Sequence, residues 1–306
     1  MAFPTPPARP AERRIAGIAL RLAAVASFAV MAAAIKLAAE RGVSLVELVF
    51  ARNLFSLPVV SAWIALGPGW RAVRTKRPAA HLVRAAIGLG SMSLTFLALT
   101  LLPLADATTI GFSAPLFATL LSALILRETV GRHRWLAVAI GFVGVGIAMR
   151  PGGSALPAAG LLVAVVAALA NGGVTITLRQ IGATEGVAAT VFWFTVACLV
   201  ASGLVAPFFL GAHDAATWGL LAAMGFSGGL AQIFNTGSLR LAPVAVVVPF
   251  DYFQLLWAVL LGWALWRMPP SGATLAGGGL IVASGLYTLW REQRRHRALV
   301  AATPEL

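Results

Sequence analysis

Ten stretches of this chain run for roughly the length of a bilayer crossing with few charges in them. They lie at about residues 15–39, 46–66, 82–102, 104–126, 135–149, 158–179, 187–210, 218–238, 242–265 and 275–290. A helix needs about 20 mostly apolar residues to cross the hydrocarbon core. Within that core every backbone N–H and C=O must be bonded inside the chain, which makes helix the default for such segments. The fifth and tenth are the shortest and are glycine-rich, with "GFVGVG" at 141–146 and "GGGLIVASG" at 277–285. A soluble fold is excluded by composition: 59% of the 306 residues are hydrophobic and 11% are charged, against about 25% charged in a soluble domain. The mean hydropathy is +0.89. The expected fold is an all-α integral membrane protein with ten transmembrane helices.

A net charge of +13 would point to nucleic acid in a soluble protein. Here the positions of the basic residues argue for topology instead, because cytoplasmic loops collect Lys and Arg. With the N-terminus inside, the inner segments hold sixteen: Arg9, Arg13, Arg14, Arg71, Arg74, Lys76, Arg77, Arg127, Arg132, Arg134, Arg179, Arg240, Arg291, Arg294, Arg295 and Arg297. The outer loops hold three, Arg41, Arg150 and Arg267. Both termini are therefore expected in the cytoplasm. Arg9, Arg13 and Arg14 ahead of an apolar run resemble a signal peptide. The run continues to Ala39, beyond a typical h-region of roughly 7–15 residues, and is read as a retained first span. Trp70, Trp135, Trp218, Trp266 and Trp290 fall near span ends, where an interfacial aromatic belt belongs. The single cysteine, Cys198, excludes a disulfide within the chain and reads as a small buried hydrophobe.

Shifting the chain by 140 residues superposes Leu101 on Leu241, Pro103 on Pro243, Ala105 on Ala245, Leu116 on Leu256, Ala118 on Ala258, Leu120 on Leu260, Leu121 on Leu261 and Arg127 on Arg267. Matches of Leu and Ala are cheap in this composition; those of Pro and Arg carry more weight. The unit is five spans, and an odd number forces the second half into the membrane upside down. The expected organisation is a tail over 1–14, a first five-helix repeat over 15–150, a second, inverted five-helix repeat over 151–290, and a tail over 291–306. Inverted repeats are typical of transporters, with the substrate near the midplane where the halves meet. A duplicated membrane scaffold that transports nothing is the competing reading.

The stretch "FLALTLLPLADATTIGFSAPLFATLLSALILRE", Phe96 to Glu128, resembles the drug/metabolite transporter superfamily in its ten-helix EamA-type branch. The motif is specific in the first half, with its Leu-Ala-Asp-Ala-Thr, Pro115 and terminal Arg127-Glu128. The second half departs from it, since Met268 stands where an acid would match Glu128. The resemblance implies a transporter of small molecules working as a monomer or homodimer, similar in character to bacterial exporters of aromatic and other amino acids. Small four-helix members of the superfamily carry a glutamate in the first span for proton exchange. Residues 15–39 hold no acid, so that device does not carry over.

An ionised side chain at a helix centre costs about 2.5–3.5 kcal/mol on insertion scales and needs a reason to be there. Asp251 lies near the middle of the segment 242–265, two residues after Pro249, which frees the carbonyl of Ala245 and loosens the helix. Asp251 is the candidate for proton coupling; the alternative is a structural role, held by an internal base such as Lys36, Arg52 or Arg84 or by loosened backbone N–H groups. Gln254 shares its face, and Tyr252 and Phe253 are candidate cavity aromatics. Further candidates for the substrate cavity are Phe28 and Met31 beside Ser27, Ser91 with Thr95, Asn171 with Thr175, and Gln232, Phe234 and Asn235. The serines and threonines also suit a role as interhelical glue, worth about 0.6 kcal/mol each. Asp106 reads as an N-cap of the fourth span. Gly225 and Gly229 form a GxxxG pair that admits close helix approach.

The four histidines sit at span ends, in loops or in the tail, and the sequence has no HExxH, no Cys/His cluster and no GxxxxGK[ST]. Metal-dependent hydrolysis and ATP-driven work therefore have no ligands here. The expected protein is not an enzyme and takes no cofactor, metal or nucleic acid. Its partners are a small-molecule substrate and the bilayer. The favoured cargo is small amphipathic metabolites, most of all amino acids including aromatic ones. The alternatives are an importer, or an exporter of drugs, lipids or nucleotide-like metabolites.

Overall fold

The computed structural model describes residues 10–125, 127, 131–149, 156–182, 184–242 and 244–301; Arg9, Glu128, Arg150 and Pro243, used above, lie outside them. All regular structure among the described residues is helical. The α-helices are α1 (Pro10–Glu40), α2 (Leu45–Leu66), α3 (Pro78–Leu101), α4 (Leu104–Gly111), α5 (Ala114–Ile125), α6 (Arg132–Met149), α7 (Ala158–Gly182), α8 (Val187–Val205), α9 (Ala215–Leu241), α10 (Val244–Val247), α11 (Phe253–Trp266) and α12 (Gly272–Ala301).

Among the described residues, seven helical stretches are long and apolar enough to cross a membrane: Arg14–Glu40, Leu45–Leu66, Pro78–Leu101, Leu104–Ile125, Ala158–Gly182, Val187–Phe208 and Gly272–Arg291. The other three expected segments are helical for physical reasons that also keep them outside that group. Helix α6 has 18 residues and opens on Arg132 and Arg134. The apolar run of α9 is interrupted by Gln232 and Asn235. The segment 244–266 is broken into α10, a 3₁₀ turn over Val248–Tyr252, and α11. Each of the three lies against other helices: α6 on α12, α9 on α1 and α2, and α11 on α1 and α4.

Polarity runs opposite to that of a soluble protein. Leu66, Leu82, Leu124, Leu162, Leu204 and Phe208 are exposed, whereas Arg21, Lys36, Arg52, Asn53, Arg84 and Asp106 are buried. Exposed apolar side chains on this scale suit contact with acyl chains. The main apolar core forms where α1, α2, α3, α4 and α9 meet, around Ile35, Leu48, Phe96, Leu102, Ile110 and Met224. Close approach is bought by small residues: a Cβ on Gly225 or Gly229 of α9 would press into Phe55 or Val59 of α2. Gly144 of α6 and Gly277 of α12 likewise bring those two backbones together.

Caps set the helix entries. Ser44 accepts the Glu47 N–H at 3.2 Å while Glu47 accepts the Ser44 N–H at 2.8 Å, a capping box that starts α2. Asp214 caps α9 by accepting the Thr217 N–H at 2.9 Å. Asp106 does not cap as expected. The N-cap of α4 is Pro103, and Asp106 sits in the first turn, buried, accepting a bond from Thr274 Oγ1 of α12 at 2.5 Å.

Two helices break, one expected and one not. Pro249 lies in the 3₁₀ turn that separates α10 from α11. The segment 104–126, expected as one helix, is divided at Phe112–Ser113 into α4 and α5. Pro115 explains that break, since it has no N–H to offer the carbonyl of Gly111. The two breaks touch: the rings of Phe112 and Tyr252 lie 5.3 Å apart at 56°. Beyond them, Arg127 and Arg267 both adopt left-handed φ, 52° and 54°, which non-glycine residues seldom do. At Arg267 this ends α11, with the Arg267 and Met268 N–H groups donating to Trp263 and Gly262, in the manner of a Schellman cap.

Candidate functional site

Helices α1, α2, α3, α4, α7, α8 and α11 surround a cavity of about 380 Å³, within the usual range of small-molecule pockets. Phe28 and Met31 come from α1, Arg52 from α2, and Arg84, Ser91, Met92, Thr95 and Phe96 from α3. Thr108 and Phe112 come from α4, Asn171 from α7, Phe194 from α8 and Gln254 from α11. Arg52 lies seven residues into α2 and Arg84 six into α3; at 1.5 Å per residue each is roughly 10 Å from its helix end. The cavity is thus deep within the span region.

Its polar wall is partly tied. Asn171 donates to Thr95 Oγ1 at 3.1 Å, joining α7 to α3, and Thr95 in turn donates to the carbonyl of Ser91 at 2.9 Å. Thr175 donates to its own helix at Asn171. Ser91 Oγ, Arg52 Nε, and Arg84 Nε and Nη1 are buried with no hydrogen-bond partner. Arg84 lies over the Phe194 ring at 4.4 Å, in the room left by Gly88, where a Cβ would collide with both.

Of the residues expected to line a substrate site, Phe28, Met31, Ser91, Thr95, Asn171 and Gln254 surround this cavity. The others lie elsewhere. Asp251 is chelated by Arg21, whose Nε and Nη2 donate to its two carboxylate oxygens at 2.5 Å each, and Arg21 Nη1 also donates to Asn235 Oδ1. The pairing of Asp251 with Lys36, Arg52 or Arg84 is corrected by this contact: the partner is Arg21 of α1. Lys36 instead donates to the carbonyls of Leu99 and Leu102 at 3.4 and 3.0 Å and lies 3.8 Å from Glu40. Tyr252 reaches the cavity only through Phe112. Phe253 is exposed and stacks on Phe250. Phe234 is half-buried, and Gln232 has its Oε1 buried without a partner, outside the cavity. Arg52, Arg84, Phe96, Phe112 and Phe194 line the cavity unanticipated, although both arginines were visible as charges inside apolar segments.

Two acid–histidine contacts bind the loops at the helix ends. Glu47 accepts from His213 Nε2 at 2.9 Å and from the Gly211 N–H at 2.6 Å. Glu185 lies 3.4 Å from His81 Nε2 and accepts the Lys76 N–H at 3.2 Å. Burial pushes the Glu185 carboxyl up, but the bonds from Lys76 and His81 outweigh it and hold the group below the usual carboxylate range.

The sequence profile of the EamA-like transporter family matches residues 15–150. A riboflavin transporter of Rhizobium johnstonii is 30% identical over 244 residues, covering 80% of this chain and 79% of that protein. The chain belongs to the EamA-like transporter family. A second relative of this EamA-like transporter, the pseudopaline exporter of Pseudomonas aeruginosa, is 30% identical and covers 88% of this chain and 94% of its own. An S-adenosylmethionine uptake transporter of Rickettsia conorii is 24% identical over 81% of this chain and 84% of its own. A protein of known crystal structure has the same fold at a TM-score of 0.58 with 20% identity, covering 89% of this chain and 98% of that one. The EamA-like chain is accordingly a multi-pass membrane transporter and not an enzyme.

Proposed function

We propose that this EamA-like transporter exports small amphipathic metabolites, amino acids including aromatic ones foremost, across a bacterial inner membrane. It works by alternating access between two inverted five-helix halves, 15–150 and 151–290, with both termini in the cytoplasm. The observation that carries the reading is the cavity between the helices, which is lined by aromatic side chains at Phe28, Phe96 and Phe112 and by polar groups at Ser91, Thr95, Asn171 and Gln254.

The inverted halves draw support from packing that comes in exchanged pairs. Helix α1 packs on α9 as α3 packs on α7, and α6 packs on α12. The two broken helices, the Phe112–Tyr252 contact and the left-handed Arg127 and Arg267 all sit at the 140-residue offset. The family profile spans the same residues as the first half. The sixteen-to-three division of basic residues supports the orientation. Asp251 is the candidate for proton coupling: it is the acid set in the broken second-half helix, where transporters place coupling groups, and protonation would release Arg21.

Purified protein in liposomes loaded with labelled phenylalanine or tryptophan provides the test. Protein-dependent efflux is expected, and absence of flux for every amino acid would sink the substrate class. Relatives named for riboflavin and for S-adenosylmethionine uptake favour a second reading, carriage of those molecules, which the same liposomes read by counterflow.

A further inference from the structure

Four basic residues, Arg21, Lys36, Arg52 and Arg84, belong to neither the inner nor the outer group and lie within the spans, and two of them are neutralised. Arg21 is held by Asp251, and Lys36 by Glu40 with two carbonyls. Arg52 and Arg84 are not. Each is more than nine-tenths buried, at 4% and 7% exposure. Among the described residues neither has a carboxylate within 4.0 Å; Arg52 donates only to Asn53 Oδ1, and Arg84 meets only the Phe194 ring. The two are close enough to repel one another. Cys198, close to both, has its Sγ 4.0 Å from the Ala85 carbonyl, a contact that suits a thiol donor and not a thiolate.

A desolvated charge with no counter-charge is among the costliest groups a fold can bury. Both of these line one cavity, and the unpartnered Ser91 Oγ joins them there. Room for them is built in: a Cβ on Gly88 would displace Arg84, and one on Gly228 would crowd Arg52 Nε at 3.4 Å. We propose that Arg52 and Arg84 form an anion subsite that takes the carboxylate of the transported molecule, with its apolar part against Phe28, Phe96 and Phe112. The proposal rests on reading this cavity as the transport site, and it assigns the cargo as organic carboxylates, free amino acids among them. Amines and alcohols of the same shape are excluded because they would leave both guanidinium groups unneutralised.

The test takes the full chain in detergent, with thermal stability as the binding readout, and the same protein in liposomes for flux. Probes are 3-phenylpropanoate, its amide, 2-phenylethyl phosphate and phenylalanine. At saturation the two carboxylates are expected to raise the melting temperature by roughly 5 °C, and the amide is not. Arg52→Gln and Arg84→Gln should each raise the half-saturating carboxylate concentration roughly 10- to 100-fold. The ligand-free variants should melt no lower than the parent, because an unneutralised charge has gone. An amide that binds as well as its acid, or carboxylate binding that survives both substitutions, would overturn the subsite. A response to the phosphate alone would overturn the carboxylate assignment. If a glutamine variant does not fold, the comparison of acid with amide on the unaltered chain decides. Carboxylate binding without flux of any amino acid would leave the subsite standing and refute the amino-acid substrate class; flux indifferent to the carboxylate would do the reverse.

Discussion

At the scale of the residue, the Arg21–Asp251 pair is where charge and the membrane meet most directly. Removing one member of a buried pair leaves the other uncompensated, at about 3–5 kcal/mol when both are enclosed. The Asp251 side chain keeps 32% exposure against 9% for Arg21, so screening by solvent lowers the expected loss for Asp251→Asn to about 2 kcal/mol. Thermal denaturation should show part of that loss recovered in the Arg21→Gln/Asp251→Asn double variant; strictly additive losses would mean the two groups do not depend on each other. If Asp251 couples protons, the single variant also flattens the pH profile of flux. Glu185 makes a separate prediction. Its folded carboxyl is held below the ordinary value, so its contribution is present above the unfolded pKa of about 4.3 and disappears as pH falls through the lowered folded value. The parent should therefore melt above Glu185→Gln at neutral pH, with the gap shrinking as the medium is acidified below about pH 4.3. A gap that widened with acid would reverse the sign. Asp251 was legible as an intramembrane acid, but its partner lies 230 residues away and nothing local marks it. A count would have helped: of 23 basic residues, sixteen inner and three outer leave four within the spans, and Arg21 is the fourth.

Among elements, one helix break and one close helix approach were readable from short-range chemistry. Pro249 loosens the segment that carries Asp251, and Gly225 and Gly229 let α9 close on α2. The break at Phe112–Ser113 was missed because the apolar run through it is continuous, although Pro115 stood two residues on. Ser44→Ala should cost about 1 kcal/mol by removing half of the α2 capping box, measurable as a lowered melting temperature. Gly277→Val should cost about 1–3 kcal/mol, since its side chain would strike the Gly144 carbonyl and the Ala148 backbone across the α6–α12 contact. Little change on that substitution would mean the two helices separate freely. Which face of each helix meets the cavity was the less legible matter. Gln254 and Asp251 share a stripe by spacing, yet the 3₁₀ turn at Val248–Tyr252 rotates one toward the cavity and the other toward α1.

For the whole molecule, hydropathy carried the all-α membrane class, because a bilayer punishes misplaced polarity more severely than water does. Three segments fall outside the simple measure for local reasons: α6 opens on two arginines, α9 carries Gln232 and Asn235, and the break at Pro249 leaves α11 short. The proposed topology is checked in a Cys198→Ala background, which removes the single thiol. Cysteines placed at Arg41 or Ser271 should react with a membrane-impermeant maleimide on intact cells, and one at Thr75 only after permeabilisation. The opposite pattern would invert the orientation. The touching rings of Phe112 and Tyr252 carry a geometric consequence for the proposed exchange of halves. A twofold rotation leaves its own axis where it was, and two residues that touch at the 140-residue offset would lie beside that line if the halves are so related. On that proposal they would be the fulcrum of the rocker: a distance measured between them should read the same whichever face is open, while a pair set far from the pivot, such as Glu40 with Trp266 at 2.7 Å, should lengthen and shorten in turn.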